Sequence, residues 1–230
     1  MIGRLRFSHR GKGSASPGHL YGMSILYTEI DPQGFWAGHR LKKAGRNLRQ
    51  CGVVRLLTPK EFEDWAALTA YGLRPVETAP FVRTQATSLA IESLVCRGLA
   101  PDRATVALRG QRADRDVKRT AIELCPKVRN LVVDVPRGGQ ELANWLRWEF
   151  GIPILPQGER GEVAIQFHGD SGSQDEVSLK LYGPQPQLAG LVLCAPELCQ
   201  EDREDLGVMA ALWEGGRLGQ EDIKILDRTP

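Results

Sequence analysis

"VALRGQRADRDVKRTAIEL" (residues 106–124) joins an apolar strand to an amphipathic helix through a single glycine. Val106, Ala107 and Leu108 read as a buried strand, and Gly110 as the turn. From Arg112 to Leu124 the apolar residues Ala113, Val117, Ala121 and Leu124 fall on one helical face. This is the first half of a strand–helix–strand unit, and the sequence downstream completes it. "NLVVDV" (130–135) is apolar on both faces, as a central parallel strand is. "GGQELANWLRWEF" (138–150) reads as a second helix with Leu142, Ala143, Trp145, Leu146 and Phe150 on its buried side, stopped by Gly151. "IPIL" (152–155) and "GEVAIQFHG" (161–169) read as the third and fourth strands.

The flanking regions follow the same grammar. "VSLKLYG" (177–183) is expected to pair with the fourth strand as a hairpin across "DSGSQD". "LAGLVLCAP" is a further strand, "EDREDLGVMAALWEGG" an amphipathic helix, and "QEDIKIL" (220–226) an edge strand folding back. Upstream, "GRLRF" and "SILYTEI" read as strands, with "HRGKGSASPGH" between them as an exposed loop carrying solvent histidines. "HRLKKAGRNLRQCG" (39–52) is a basic helix ending in glycine, and "VVRLL" a short strand. Thr58 is placed to cap a helix, with Pro59 at its first position and Glu61 completing a capping box. "LRPV" and the helix "PFVRTQATSLAIESLVCRGL" lead to the opening stretch.

Strand–helix alternation of this kind predicts an α/β, Rossmann-like fold. A mainly parallel sheet is flanked by helices, with a β-hairpin and a helix toward the C-terminal end. The expected division is an N-terminal α/β region (1–100) and a Rossmann-like region (101–230), with the boundary near 98–104, unless the whole is one domain. Composition fits a folded chain: 42% hydrophobic and 25% charged over 230 residues. A net charge of +2 gives no bulk attraction to nucleic acid or membranes. No apolar run approaches the roughly 20 residues needed to span a bilayer, and the first residues do not form a secretory signal. A cytoplasmic location is expected. Five scattered cysteines argue against a disulfide framework. Cys194 and Cys199 lack a second ligand pair, so no metal site is expected.

Ligands of such sheets bind beyond the carboxyl ends of the strands. That rule gathers "RGQRADR", "DVPRGGQ", "PQGERG" and "HGDSGS" on one edge. A dinucleotide loop needs G-x-G-x-x-G; here Gly110 is present, but Arg112 and Arg115 hold the other two places. Asp134, ending the second strand, stands where an acidic residue would hold a ribose. Gly110, Arg112, Asp134, Arg137, Gly138 and Gly139 are therefore the candidate anion or nucleotide edge, with helix N-termini and arginines as the anion-binding chemistry. The alternative leaves these arginines as solvated charge, with Arg115 paired to Asp114, Asp116 or Glu149. His168, beside Asp170, is the candidate general base. No nucleophile elbow, phosphate-binding G-x-x-x-x-G-K-[ST] loop or H-E-x-x-H motif occurs. The helix at 39–49 carries His39, Arg40, Lys42, Lys43, Arg46 and Arg49, but no interleaved aromatics, which argues against nucleic acid as a partner.

"VRNLVVDVPRGGQELANWLRWEFGIPILP" resembles an uncharacterised family of clostridial, Firmicute hypothetical proteins, whose middle runs V-x-x-L-x-I-x-T, helix, L-x-x-E-x-G-I, strand. The resemblance covers about residues 105–170; it implies a Rossmann-like core and attaches no activity. Gly110-Gln111-Arg112 and Gly138-Gly139 are also similar to the G-S-R and G-G turns of a group of nucleotide-binding Rossmann proteins, without the serine and more closely spaced. Two functions follow as expectations: a ligand-binding or regulatory protein without a complete catalytic set, or an enzyme acting on a nucleotide or phosphorylated metabolite through Arg112, Asp134, Arg137 and His168. A third is a partner-binding protein using exposed apolar residues such as Trp148.

Overall fold

The computed structural model describes residues 1–169 and 175–228. The chain forms two compact units, Met1–Glu77 with Asp205–Gly219, and Thr78–Glu204 with Gln220–Pro230. The first boundary thus falls at Glu77/Thr78 and not near residues 98–104. The helix preceding that stretch packs on the central sheet of the second unit and belongs to it.

The first unit contains β1 (Ile2–Phe7), β2 (Lys12–Leu20), β3 (Met23–Ile30), α1 (Ala37–Gln50), β4 (Arg55–Leu57), α2 (Trp65–Thr69) and β5 (Arg74–Pro75). Its sheet has the order β2-β3-β1-β4-β5, parallel except for β2, which runs antiparallel to β3. The expected loop "HRGKGSASPGH" is therefore mostly strand. A backbone ladder needs no apolar side chains, and an edge strand tolerates Pro17. Leu41, Ala44 and Leu48 of α1 pack on Leu5, Ile30 and Leu56 to form the core. The expected capping box at Thr58 does not form. Phe62 N–H donates to the Pro59 carbonyl in a turn (3.0 Å), and the helix begins later, with Asp64 accepting from Ala67 N–H. The Phe62 ring, buried edge-on against Trp65 at 5.3 Å, holds that turn.

The second unit contains α3 (Ala79–Thr84), α4 (Ala86–Cys96), β6 (Thr105–Arg109), α5 (Arg115–Leu124), β7 (Asn130–Asp134), α6 (Gly139–Phe150), β8 (Ile154–Leu155), β9 (Val163–Gln166), β10 (Val177–Lys180) and β11 (Leu191–Cys194). The sheet order is β10-β9-β6-β7-β8, and every pairing is parallel. Numbered from β6 this is 3-2-1-4-5, the doubly wound order of Rossmann-like sheets. Two further elements complete the chain, α7 (Leu206–Glu214) and β12 (Lys224–Asp227). α7 belongs to the first unit, capped by Asp205 and paired to β4 through Glu214 and Arg55. β12 does fold back, but onto β11, as a separate antiparallel ribbon.

The expected hairpin between the fourth strand and "VSLKLYG" is corrected: β10 runs parallel to β9, with Val177 opposite Val163. Asp175 and Glu176 bond the backbone of Gly161, which brings the chain back to the amino end of β9 before β10 starts. Most of the expected turn "DSGSQD", including Asp170, lies outside the described residues.

The return from β8 to β9 takes only residues 156–162. Parallel crossovers usually need a dozen or more residues and a helix. This one runs flat against the sheet. A Cβ on Gly161 would lie 2.9 Å from the Ala107 nitrogen and 3.1 Å from the Thr105 carbonyl oxygen. The small side chains of Ala107 and Ala164, packed with Val132 and Leu155, make the room. Gly161→Ala is expected to cost about 1–3 kcal/mol, the usual range for overpacking, read as a lowered urea midpoint with unchanged m.

Candidate functional site at the carboxyl edge

Arg109 ends β6, a strand buried along its whole length, and its side chain is 3% exposed. A guanidinium cannot shed its charge there, so it must be paired. Its Nε and Nη2 donate to the two oxygens of Asp175 at 2.6 Å each, a bidentate pair with a carboxylate that has no exposure. Nη1 donates to Asp134 Oδ2 at 2.5 Å, and Nη2 also reaches the Glu159 carbonyl at 2.9 Å. The Gly161 N–H donates to Asp175 Oδ1 (2.9 Å), tying in the flat crossover. Hydrogen bonding to Asp175 raises the guanidinium pKa further above its ordinary value, against the opposing pull of burial. The sequence-predicted ribose acid, Asp134, is thus engaged by Arg109.

The switch point of the sheet lies between β6 and β9, where the chain leaves β6 for opposite sides. Gly110 and Gln111 line it from one strand, and Phe167, His168 and Gly169 from the other. The N-terminus of α5 opens on this crevice. Its first N–H groups are already satisfied, because Asp114 is the N-cap and accepts from Asp116 N–H (3.1 Å) and Val117 N–H (3.0 Å). A fixed carboxylate there occupies the place of a ligand phosphate and repels one. His168 Nε2 sits 3.9 Å from Asp114 Oδ2, and His168 Nδ1 is shielded from solvent with no hydrogen-bond partner among the described residues. Arg83 closes the same end of the sheet, donating to the Phe167 and Leu181 carbonyls.

The other helix N-terminus differs. Gly138, at φ +77°, is the N-cap of α6 and supplies no side-chain acceptor. The N–H groups of Gly139, Gln140 and Glu141 have no acceptor among the described residues. Gly139 is buried against Val133 and Val135, so the helix starts directly above the end of β7. The loops after β6 and β7 are zipped together: Ala113 N–H donates to the Arg137 carbonyl (2.8 Å), and Arg112 and Arg137 form an isolated parallel bridge. Two exposed arginines, neither with a carboxylate partner among the described residues, therefore project from adjacent backbone positions beside this helix start. From Gly138 a cavity of about 390 Å³ runs between α5 and α6, lined by Ala113, Lys118, Ile122, Glu141, Leu142 and Trp145.

The structure brings Arg112, Arg137, Gly138 and Gly139 together and leaves Gly110 and His168 on the far side of β6, at the switch point. Arg109, Lys118 and Trp145 escape the sequence reading. Trp145 and Phe150, expected on the buried side of α6, are each 42% exposed and meet edge to face at 5.7 Å. Among the described residues no group of His, Cys, Asp and Glu could hold a metal, and no helix is long and apolar enough to cross a membrane.

Replacing Arg109 with Met removes the bidentate cation from the buried Asp175 carboxylate. The expected loss is about 3–5 kcal/mol. Arg109→Met with Asp175→Leu should recover part of that, as read from urea unfolding of the single and double variants.

No protein-family model matches the sequence, and no curated protein matches it. Among solved structures the chain is similar to L-tryptophan dehydrogenase from Nostoc punctiforme, at 14% identity and a TM-score of 0.32 over 72% of this chain and 55% of that one. It is also similar to shikimate 5-dehydrogenase-like protein HI0607, at 11% identity and a TM-score of 0.28, over 76% and 68% of the two chains. The chain thus spans little more than half the length of the first of these structures.

Proposed function

We propose that the second unit is a Rossmann-like ligand-binding or regulatory module that takes a phosphate-bearing small molecule at the start of α6. The observation that carries this reading is the uncapped N-terminus of α6 beside the Arg112–Arg137 bridge. Free N–H groups aligned with a helix dipole favour an anion. Two neighbouring guanidiniums repel each other until an anion lies between them. The phosphate sits at Gly138–Glu141, and the rest of the ligand lies along the cavity, against Lys118 and the ring of Trp145. Free N–H groups, cations and an apolar wall are the chemistry of binding, which is the function this reading assigns.

A second reading rests on His168. At the switch point, with Asp114 3.9 Å away and Nδ1 unbonded among the described residues, it is placed for proton transfer. On this reading the protein is an enzyme whose substrate enters between β6 and β9.

Thermal-shift measurements with nucleoside monophosphates and sugar phosphates test the binding site. A ligand at 100 times its Kd adds about 2.7 kcal/mol. That shift should be lost in Arg112→Ala/Arg137→Ala and reduced in Lys118→Glu, yet kept in His168→Ala. A shift lost in His168→Ala and kept in the arginine variant would instead favour the switch-point crevice. No shift with any phosphate compound overturns the site.

A further inference from the structure

We propose that the first unit binds single-stranded nucleic acid along the outer face of α1. The helix contains no acidic residue. Leu41, Ala44, Gly45 and Leu48 turn one face into the core, and His39, Lys42, Lys43, Arg46 and Arg49 stand exposed on the opposite side. None of these five has a carboxylate partner among the described residues, whereas Arg40, at the margin of the stripe, is held by Asp31 at 2.9 Å. Lys42, Arg46 and Arg49 follow i, i+4, i+7 spacing, so the cations form a straight track about 15 Å long from His39 to Arg49. β2 lies along the other flank of α1. Asn47 donates to the Gly13 carbonyl at 2.8 Å, which sets the exposed Lys12 alongside the helix.

Aromatic rings stand at one end of this track. Phe35 is 94% exposed and Trp36 59% exposed, immediately before α1. They meet edge to face at 5.4 Å, which leaves ring faces uncovered. Trp36 also packs edge to face on His39, at 6.1 Å, and so joins the rings to the basic stripe. Exposed ring faces beside a line of cations are what unpaired bases and their phosphates need: stacking that any base can supply, and a backbone track. A duplex keeps its bases stacked inside and offers nothing to these rings. The apolar face of α1 is committed to the core, so the helix cannot roll into a bilayer. Glu61, Glu63 and Asp64 lie on the flank of Gly38 and Leu41 and bound the stripe on that side.

The test uses the full chain and fluorescence anisotropy with labelled 20-nucleotide dT and rU strands, with the same dT sequence as a duplex. Single strands of either sugar should bind better than the duplex. Phe35→Ala/Trp36→Ala should weaken binding about tenfold or more. Lys42→Gln/Arg46→Gln/Arg49→Gln should flatten the slope of log Kd against log salt by about 2. Trp148→Ala, at a still more exposed tryptophan of the second unit, should leave binding unchanged. These side chains are on the surface, so the variants should keep the wild-type circular dichroism and melting point. No binding at low salt overturns the proposal, as does binding that survives both sets of substitutions or that Trp148→Ala weakens as much. Sedimentation with phosphatidylserine vesicles, in the absence of oligonucleotide binding, overturns it in favour of a membrane surface.

Discussion

Arg109 carries a permanent charge at the end of a central strand that is closed to solvent, and much of the second unit is arranged around keeping it paired. Asp175 comes from the segment before β10, Asp134 from the end of β7, and the Glu159 carbonyl from the crossover. Three stretches distant in sequence are thus drawn to one guanidinium. The Gly161 N–H, bonded to the same Asp175 carboxylate, fixes the crossover flat against β6. The parallel β10 belongs to the same arrangement: Asp175, two residues before it, bonds both Arg109 and the Gly161 N–H ahead of β9. A hydrophobic residue at 109 would ask for none of this. Buried ion pairs add little net stability over an apolar core of the same volume; here the pair's effect is to select one path for the chain.

That selection changes what the carboxyl edge can bind. A Rossmann dinucleotide site uses the first helix N-terminus for pyrophosphate and the acid ending the second strand for ribose. Here the first helix N-terminus is filled by Asp114, and the acid is held by Arg109. Both positions keep their geometry, but Asp134 Oδ2 accepts from Arg109 and the Asp114 side chain accepts from two N–H groups at the start of α5. The start of α6 differs: glycine at the cap leaves its first N–H groups without an acceptor among the described residues, and Arg112 and Arg137 sit in register beside it.

Much of this fold was legible in the sequence because periodicity is a local signal. β6, β7, α5 and α6 emerge where the spacing of Val106, Val117, Leu131 and Leu142 predicts them. What was not legible depends on partners. β2 is a strand because β3 lies beside it, and "KGSASPG" carries no apolar alternation. The direction of β10 goes with an ion pair across 66 residues, which periodicity does not display. The outward turn of Trp145 and Phe150 reflects how α6 rotates on the sheet. One signal went unused: an arginine ending an otherwise apolar central strand implies a buried acid elsewhere. Turn position alone names Arg112, Arg137, Gly138 and Gly139, which the structure brings together. The reason Asp134 is engaged, and α5 closed, lay in contacts the sequence does not display.

Whole-chain charge illustrates the same limit. The net value of +2 gives no reason to expect a polyanion. Divided between the units, the first holds thirteen Lys and Arg against eight Asp and Glu, while the second holds seventeen against twenty. The two offsets nearly cancel in the total. Electrostatic attraction acts over about a Debye length, near 10 Å, so a strand lying on α1 responds to the stripe beneath it and not to the sum over the chain. In the same way aromatics need not be interleaved with the cations in sequence. Phe35 and Trp36 precede the basic run, and the helical turn that starts at Trp36 brings His39 against its ring. The distances that matter to a ligand are set by that turn, and in them the aromatic and basic groups are neighbours.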